Sequence, residues 1–518
     1  MVTKKLIILD SALMLKSSLR DLAINFKCET LKGFLPYSFI DISKIDYKGE
    51  CPNMEDFPDI TMEEYNKLDK TNFSVKNETL KYLKADLLSL YQVMNKFAKL
   101  IYDDYGLCIT NIKTISALSL KVYLSNYYKN NFNISVIKGS IGKEIRKGYF
   151  GGLVHISPLS RHITEGYLYD MNSQYPSAML NDLPVGNPVL TNSDDLDSFF
   201  GFCYAHITPP NDLHHYILPF REEDGNVCLP NTPFTGLYFS EELKNIRRYG
   251  YKVVISGGFK FDRGLDIFKD FVMDLYLNRL NAKKEGNYPL QLTLKLILNS
   301  LYGRTGMKEI EHRSVIVNEI EAKSLLDNKN VTLISKLNNM YLIKYNDNID
   351  SQLIKLLDRN TEIDPKLNSL AGVIKQTGVF SSIPIAAAIT SYARMSMNEF
   401  KNMKNNICYY SDTDSCLMKY KLPDHFISSS VIGMMKLEYV IKEGYIIAPK
   451  LYAFKDDKDN IIMKAKGVKK GHLTFDDFKY LSNGNDLTIQ NTVFLRNLSD
   501  GTVNIIPRDY ILKGYKEI

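Results

Sequence analysis

Two aspartates, Asp412 and Asp414, stand two residues apart in an otherwise apolar segment that reads YYSDTDSC over 409–416. Side chains alternate between the two faces of a strand, so both carboxylates are expected to point the same way. The flanking residues predict a strand, a tight polar turn and a second strand. Two like charges held this close are costly unless a cation lies between them, which makes the pair a candidate metal site. The alternative is an Asx-rich hairpin turn.

A third carboxylate, Asp170, lies in the segment GYLYDMNSQYPS over 166–177. The pattern predicts a strand that runs into a turn at Pro176, with Asp170 near the end of the strand. A helix N-cap or an Asx turn would also account for such an aspartate. Tyr175, next to the rigid Pro176, would form a fixed aromatic plate.

Cationic and amide side chains follow helical spacing on two runs within 266–303, separated by a polar break at 285–289. The first run carries Arg279 and Lys283, and the second carries Lys295, Asn299 and Tyr302. Spacings of three and four place the residues of each run on one helix face, and Gly303 is expected to end the second helix. Two antiparallel helices of this kind would clamp a triphosphate, with Tyr302 able to stack on a base. A solvated helix face is the alternative.

Two further segments suit a nucleic-acid backbone. The YFGG turn over 149–152 follows a basic stretch that includes Arg146. Paired glycines allow another backbone to approach closely, and basic flanks suit phosphate, although a plain turn between domains would look similar. Beyond the paired aspartates, the lysines are interleaved with aromatic residues, a pattern that suits single strands but also a solubilising surface. The residues of this second segment are Lys450, Tyr452, Lys464, Lys466, Lys469 and Lys470.

The elements that must position these residues can be anticipated from periodicity. A helix over about 385–404 is expected to support the 409–416 hairpin, with Arg394 able to reach phosphate. Helices are predicted over 11–26 and 77–105, and on the second of these Tyr82 and Asp86 lie four apart. Such a pair can bind a metal and orient a water, or simply share a helix-surface hydrogen bond. The segment over 306–378 is rich in Asn, Asp and Lys and is expected to be an irregular surface insertion.

Bulk composition limits the classes of protein. The chain has 518 residues, of which 45% are hydrophobic and 24% charged, as in ordinary globular proteins of about three domains. A net charge of +6 permits a nucleic-acid partner without proving one. Seven cysteines, never spaced as CxxC, indicate neither a disulfide framework nor a zinc site and favour a reducing compartment. No apolar run reaches the roughly 18 residues of a membrane span, no targeting peptide is visible, and no membrane partner is expected.

Four motifs, in this order along the chain, resemble those of family B DNA polymerases. They are DxxSxYPS from Asp170, KxxxNSxYG from Lys295, YSDTDS from Tyr410 and KxY from Lys450. The YxGG turn at Tyr149 and the segments inserted after Asp170 and after Gly303 are similar to the protein-primed branch, especially the polymerases of fungal mitochondrial linear plasmids. The resemblance covers nearly the whole chain.

The resemblance implies an α+β fold, in which a right-hand polymerase of palm, fingers and thumb follows a partial RNase H-like exonuclease domain. The expected domains are a partial exonuclease-like domain over 1–140, the first part of the palm over 141–200, an inserted subdomain over 201–264, the fingers over 265–305, an insertion over 306–378, the second part of the palm over 379–445 and the thumb over 446–518.

The resemblance also implies a DNA-directed DNA polymerase that transfers nucleotides with two Mg²⁺ ions, for which Mn²⁺ can substitute. Asp170 and Asp414 would bridge the ions, with Asp412 as a weaker ligand and the Met171 carbonyl completing the shell. Tyr175 would lie under the sugar and exclude a 2′-hydroxyl. The resemblance further implies contacts to the triphosphate from Arg279, Lys283 and Lys295, and contacts to the rest of the nucleotide from Asn299, Tyr302 and Tyr410. The implied contacts to the template are Tyr149, Gly151, Gly152 and Ser173. Lys450 and Tyr452 would contact the primer end, and Lys464 and Lys466 would contact DNA.

The implied partners are a DNA primer-template, deoxynucleoside triphosphates and a terminal protein that offers a Ser, Thr or Tyr hydroxyl as primer. The implied location is the mitochondrion. Other polymerase classes, such as RNA polymerases and reverse transcriptases, share paired palm aspartates, but Tyr175 beside Pro176 and the KxxxNSxYG helix argue against them. A catalytically decayed protein that binds DNA or a terminal protein is the non-enzymatic alternative.

The chain departs from the family pattern at two places. Gln174 stands where the protein-primed branch usually carries Leu, which puts nucleotide selection in doubt more than activity. Relatives carry a 3′-5′ exonuclease with three acidic motifs, and YLKAD at Tyr82–Asp86 resembles only the third. Because proofreading needs several carboxylates around two metals, we expect 1–140 to be the C-terminal half of such a domain, without proofreading activity.

Overall fold

The computed structural model describes residues 9–40, 42–57, 60–129, 133–137, 139–308, 312–328, 331–337, 340–346, 381–468, 471–497 and 502–516. The helices are α1 (Leu19–Asn25), α2 (Met62–Asn66), α3 (Val75–Tyr105), α4 (Ile115–Val122), α5 (Gly139–Lys147), α6 (Gln174–Ala178), α7 (Ser240–Arg247), α8 (Lys269–Lys284), α9 (Tyr288–Thr305), α10 (Glu319–Asn328), α11 (Ile383–Lys401) and α12 (Phe475–Ser482). Lys469, Lys470 and residues 347–378 of the predicted insertion lie outside the described residues.

The strands of the upstream half of the chain are β1 (Lys48–Gly49), β2 (Phe73–Ser74), β3 (Val154–Ile156), β4 (Gly166–Met171), β5 (Leu183–Thr191), β6 (Gly201–Thr208), β7 (Phe220–Arg221), β8 (Val227–Cys228), β9 (Phe234–Phe239) and β10 (Lys252–Gly264). Those of the downstream half are β11 (His312–Asn318), β12 (Val331–Leu337), β13 (Met340–Asn346), β14 (Cys408–Asp412), β15 (Ser415–Met418), β16 (Met435–Ala448), β17 (Leu451–Asp456), β18 (Ile461–Ala465), β19 (Leu487–Asn497) and β20 (Thr502–Leu512).

The chain divides into two compact units. The first unit comprises Met1–Asn131 and Asp266–Arg304, and the second comprises Phe132–Leu265 and Thr305–Ile518. The predicted fingers segment therefore groups with the N-terminal part of the chain, while the two predicted palm segments fall in one unit. The finer domain bounds stay predictions.

The long helix α3 dominates the first unit. The Ser74 side chain accepts a hydrogen bond from the Asn77 amide at its start, and Gly106 ends it with φ +66°. The helix predicted over 77–105 is thus confirmed. The helix predicted over 11–26 is shorter than expected, because Ser18 caps a new start and α1 covers only Leu19–Asn25.

Helices α8 and α9 of the first unit confirm the two helical runs and the break between them. Gly286, with φ +67°, lies in that break. The expectation that Gly303 ends the second helix was wrong, because α9 continues to Thr305. A glycine lowers helix propensity, but neighbouring turns can still carry the helix through it.

A seven-stranded antiparallel sheet forms the centre of the second unit, in the order β18-β17-β16-β4-β15-β14-β3. The helix α11 confirms the helix predicted over 385–404 and is buried along most of its length. Core residues shared by this helix and the sheet include Tyr169, Met397 and Cys416. This packing holds the strands that carry the paired aspartates against a rigid helix.

Other parts of the second unit are built on smaller sheets. Strands β5, β10, β6 and β9 form a four-stranded sheet, on which α7 packs. The expectation of an irregular insertion after residue 306 was wrong for 312–346, where β11, β13 and β12 form an antiparallel sheet beside α10. The strands β19 and β20 pair over their full length as a hairpin. Within the part of the chain that the structure describes, none of the helices is long and apolar enough to cross a membrane.

Candidate functional site

The two aspartates Asp170 and Asp412 share one face of the central sheet. Ser415 on β15 lies directly opposite Asp170 on β4 and, on its other side, directly opposite Asp412 on β14. Directly opposite residues of an antiparallel pair project from the same face, so both carboxylates project from the face of the Ser415 side chain. The predicted order of strand, tight turn and strand is confirmed, with Asp414 in the two-residue loop between β14 and β15.

The loop that carries Asp414 is held through its backbone. The Asp414 carbonyl accepts a hydrogen bond from the Met171 amide at 2.8 Å, and the Thr413 amide donates to the Leu153 carbonyl at 3.0 Å. Thr413 has φ +60°, a backbone conformation that a β-branched residue rarely adopts. Since Thr413 adopts it nevertheless, the surrounding contacts must stabilise the loop.

The two glycines of the YFGG turn differ in their surroundings. A Cβ atom on Gly152 would lie 2.6 Å from both Cγ2 and Oγ1 of Thr413, whereas a Cβ on Gly151 would meet no atom within 4 Å. A close approach does occur at Gly152, but the approaching group is the Thr413 side chain, between the paired aspartates, and not the backbone that the paired glycines led us to expect. Gly151 faces open space.

A buried ion pair fixes the backbone of the same turn. Nε and Nη2 of Arg394 donate to Oε1 and Oε2 of Glu242 at 2.7 and 2.6 Å, and both side chains are 2% exposed. Nη1 of Arg394 also donates to the carbonyls of Phe150 and Gly151 at 2.6 and 3.2 Å. The expectation that Arg394 could reach phosphate was wrong, because its donors are committed inside the protein. The guanidinium instead ties α11 and α7 to the glycine turn.

Replacing Arg394 by methionine is expected to lower the free energy of unfolding by about 3–5 kcal/mol, because the Glu242 carboxylate would stay buried without its partner. The midpoint of urea unfolding measures the change. The matched control is Lys442→Met, whose pair with Asp459 is exposed at 51% and 77%. That control is expected to change stability by less than about 1 kcal/mol. Equal losses in the two variants would contradict the structural role of Arg394.

The basic flank of the glycine turn also has internal partners. Arg146 donates from Nη1 to the Gly306 carbonyl at 3.0 Å and from Nη2 to the Met307 carbonyl at 3.1 Å. Tyr149 is half-buried, and a Cβ on Gly306 would lie 2.6 Å from its hydroxyl. Arg146 therefore stabilises the chain near the turn through carbonyl groups.

A lysine ammonium pairs with one of the two strand aspartates. Nζ of Lys450 lies 2.5 Å from Oδ2 of Asp412. The Tyr410 hydroxyl donates to the same oxygen at 3.4 Å and accepts from the Lys450 amide at 3.1 Å. Burial raises the pKa of Tyr410, so this hydroxyl stays protonated and able to donate. Tyr410 is 1% exposed, which corrects its expected direct contact with a nucleotide: its hydroxyl supports Asp412.

The predicted C-terminal DNA-binding residues lie around one cavity. The cavity has a volume of about 390 Å³ and is lined by Asp412, Lys450, Tyr452, Lys464, Ala465 and Lys466. Tyr452 on β17 lies directly opposite Lys464 on β18, and the Lys466 amide donates to the Lys450 carbonyl at 3.2 Å. The structure thus brings four predicted DNA contacts together beside Asp412.

Two more predicted site residues follow the end of β4. Ser173 precedes α6 and has φ +52°, in the left-handed region. Tyr175 is half-buried in the first turn of α6, next to Pro176. Met171 ends β4 and is buried. The chain therefore places the Tyr-Pro pair one short turn beyond Asp170.

The predicted triphosphate clamp lies on helices of the first unit. Arg279 and Lys283 are on α8, and Lys295, Asn299 and Tyr302 are on α9. Lys283 and Lys295 are exposed, whereas burial lowers the pKa of the half-buried Arg279 guanidinium. The helical positions are as expected, and their roles stay predictions.

The predicted exonuclease remnant lies on α3 of the first unit. Tyr82 and Asp86 are both half-buried, and the Tyr82 hydroxyl lies 2.6 Å from the Tyr37 hydroxyl. Burial and these neighbours raise the pKa of Tyr82. The pair is therefore placed on one helix as expected, and its origin in an exonuclease stays a prediction.

The chemistry of the available ligand atoms decides whether Mg²⁺ fits the face of the central sheet that carries Asp170 and Asp412. Across the described ranges, no group of three or more His, Cys, Asp or Glu side chains forms a ready metal site. Carboxylate oxygens are nevertheless the ligands that Mg²⁺ prefers, and the face of Asp170 and Asp412 supplies them. Asp412 already pairs with a cation, the Lys450 ammonium. The residues present fit a divalent cation on this face.

Comparisons with known proteins agree on one family. The family model described as DNA polymerase type B, organellar and viral, matches residues 1–407. The chain is 33% identical over 525 residues to a probable DNA polymerase of Agaricus bitorquis, and 32% identical over 531 residues to one of Podospora anserina. These matches cover 98% and 97% of this chain but 65% and 43% of those proteins.

A solved structure shows the same fold. Phi29 DNA polymerase complexed with primer-template DNA and incoming nucleotide superposes with a TM-score of 0.64, covering 97% of this chain and 79% of that chain. The sequence identity is 19%, so this likeness concerns the fold alone. The mixed helix and sheet architecture predicted for the chain is confirmed.

Proposed function

Because this chain belongs to the organellar and viral DNA polymerases of type B, we propose that it is a DNA-directed DNA polymerase. It would add deoxynucleotides to a 3′-hydroxyl under the direction of a template. The register of β4, β15 and β14 supports the proposal most directly, since it places Asp170 and Asp412 on one face beside the loop of Asp414. The chain spans about two thirds and two fifths of the two fungal relatives, so the activity of the whole protein is part of the proposal.

The carboxylates would hold two Mg²⁺ ions, or Mn²⁺ in their place. When bound, such ions lower the pKa of a primer hydroxyl and neutralise the charge of the triphosphate and the leaving pyrophosphate. Asp170 and Asp414 would be the main ligands, Asp412 would be the weaker ligand, and the Met171 carbonyl would be a further donor. Asp412 would have to give up its ion pair with Lys450 to bind a metal, which supports its proposed role as the weaker ligand.

The first unit carries most of the proposed nucleotide contacts. Lys295, Lys283 and Arg279 carry the positive charge that a triphosphate needs. Asn299 and Tyr302, on the Lys295 side of α9, would line the nascent base pair. The buried Tyr410 would act through Asp412.

Template and primer would contact the second unit. Tyr149, Gly151, Gly152 and Ser173 form the proposed template contacts. The primer end would lie in the cavity beside Asp412, where Lys450, Tyr452, Lys464 and Lys466 offer ammonium groups and an aromatic ring. Protein priming by a terminal protein and a mitochondrial location are also part of the proposal, and only the resemblance to the family supports them.

Primer extension tests the proposed function. The purified chain is incubated with a primer-template, Mg²⁺ and four deoxynucleoside triphosphates, and the expected result is extension to the end of the template. Asp170→Asn serves as the inactive control. A chain that shifts DNA on a gel but extends no primer would be a binding protein, and the proposal would be wrong.

Tyr175→Val is expected to let the enzyme accept ribonucleotides, because the ring beside the rigid Pro176 would no longer block a 2′-hydroxyl. The ratio of incorporation efficiencies for dNTP and rNTP is expected to fall by about a hundredfold, the discrimination that one steric contact can supply. Tyr175→Phe keeps the ring and should keep the ratio. Unchanged sugar discrimination in Tyr175→Val would remove this role.

A further inference from the structure

Gln174 is a buried polar residue that touches the loop between the paired aspartates. It begins α6 and is 2% exposed. Its Nε2 donates to the Ala393 carbonyl on α11 at 2.9 Å and to the Thr413 carbonyl at 3.1 Å. Both partners are acceptors, so the nitrogen of the amide must face them. Its Oε1 is buried and has no hydrogen-bond partner in the described part of the chain.

The orphaned oxygen shows that stability alone does not explain a glutamine here. A buried carbonyl without a donor destabilises the folded protein, and an apolar side chain of similar size would avoid that cost. What an apolar side chain could not do is donate two hydrogen bonds. The gain must therefore lie in holding the two carbonyl groups that Gln174 connects.

One of these carbonyls belongs to the most constrained residue of the hairpin. Thr413 has φ +60°, and its amide is already tied to Leu153. With the Gln174 bond, both polar backbone groups of Thr413 are held, and the plane of the peptide between Thr413 and Asp414 is fixed. The other carbonyl, that of Ala393, precedes Arg394 on α11, which the ion pair with Glu242 makes rigid.

We propose that Gln174 is a positioning residue, which orients the Thr413–Asp414 peptide and so sets the Asp414 carboxylate for metal binding. This inference rests on the proposed polymerase function. Gln174 would contact neither substrate nor metal. Its two hydrogen bonds connect the loop to the rigid helix α11 and so restrict the movement of the loop. The geometry of a metal site depends on such supporting hydrogen bonds, and loosening them lowers metal affinity and rate.

Gln174→Met tests the proposal, because methionine has a similar size but no donor. We expect the maximal rate of incorporation to fall by about tenfold, and the Mg²⁺ concentration for half-maximal rate to rise by about tenfold, the lower end of losses seen for residues that support metal ligands. The affinity for primer-template and the midpoint of thermal unfolding should stay near those of the parent chain. Gln490→Met, an exposed glutamine on β19, is the matched control and should change none of these.

Gln174→Glu gives a readout that a merely structural role would not produce. An ionised Glu at this position would face two carbonyl oxygens, whereas a protonated one can donate to one of them. Burial among acceptors raises the pKa of such a carboxyl, so the donor is present at low pH and lost as the pH rises through that value. The rate of the variant relative to the parent chain should therefore rise as the pH falls from about 8 to about 6, and the same ratio for Gln174→Met should stay flat.

The outcomes separate the two proposals. A parent chain that extends no primer would contradict the polymerase function itself. A parent chain that extends primers, with Gln174→Met unchanged in rate and Mg²⁺ requirement, would overturn the positioning role alone. A Gln174→Glu variant whose relative rate does not respond to pH would also overturn it, even if Gln174→Met failed to fold.

Discussion

Asp414→Asn is expected to lower the rate of nucleotide incorporation by at least about a thousandfold. The loop backbone is held by the Met171 and Thr413 contacts, so the substitution removes a charge and leaves the fold in place. A neutral amide would hold the proposed cations much less tightly than a carboxylate, and each 1.4 kcal/mol of lost transition-state stabilisation is worth about tenfold in rate. Single-turnover incorporation with saturating Mg²⁺ and nucleotide measures the effect.

The controls for Asp414 come from the same chain. Asp459→Asn alters an exposed aspartate outside the proposed site and should leave the rate unchanged. Asp412→Asn should cost less than Asp414→Asn, because Asp412 already shares its charge with Lys450. Primer-template binding on a gel should survive in all three variants. If Asp414→Asn keeps more than about a tenth of the parental rate, the loss of transition-state stabilisation is below about 1.4 kcal/mol. That result would exclude a metal-binding role for Asp414.

Gly152→Ala is expected to reduce incorporation by about a hundredfold, although the substitution adds a single methyl group. The new Cβ would lie 2.6 Å from Cγ2 and Oγ1 of Thr413 and 2.9 Å from its Cβ, so the loop must move. Misplacement of catalytic groups by about 1 Å can cost about a hundredfold in rate. Steady-state primer extension measures the loss, and gel shift with primer-template verifies that binding remains.

The neighbouring glycine supplies the control for this effect. Gly151→Ala adds the same methyl group where no atom of the chain lies within 4 Å, and it keeps the backbone groups through which Gly151 would contact the template. Its rate should stay within about twofold of the parental rate, which corresponds to the effect of about 0.5 kcal/mol or less that is usual for a surface substitution. The double variant Gly152→Ala, Thr413→Gly removes the atoms that clash and places a glycine where φ is +60°. It should recover most of the lost rate. Equal losses in the two single alanine variants would show that the turn, and not the contact with Thr413, matters.

The sequence predicted local elements better than long-range partners. The strand and loop around Asp412 and Asp414 and the helices α8, α9 and α11 follow from patterns within about 20 residues, which periodicity and turn residues can reveal. The sheet of β11, β12 and β13 was missed because abundant Asn, Asp and Lys obscured the β-branched run of 315–317. In this segment the pairing between strands determined the structure, although the local composition favoured an irregular segment.

The partners of the site could not be read from local pattern. Arg394 and Glu242 lie 152 residues apart, so nothing in either neighbourhood marks them as an ion pair. Because an arginine on an amphipathic helix is usually exposed to solvent, Arg394 was wrongly predicted to reach phosphate. Gln174 was conspicuous as a departure from the family pattern, but its acceptors, Ala393 and Thr413, are 219 and 239 residues away. Only the fold brings these groups together.

The register around Ser415 also limits which changes in chain length this protein can accept. Asp170, Ser415 and Asp412 share a face because three strands pair without a shift at these positions. Inserting or deleting one residue in 411–417 would turn the following side chains to the opposite face, or force the strand to slip. Over this segment, length is as strict a requirement as residue identity. Additions and losses during divergence should therefore accumulate in connections beyond the hairpin, while the hairpin itself varies by substitution alone.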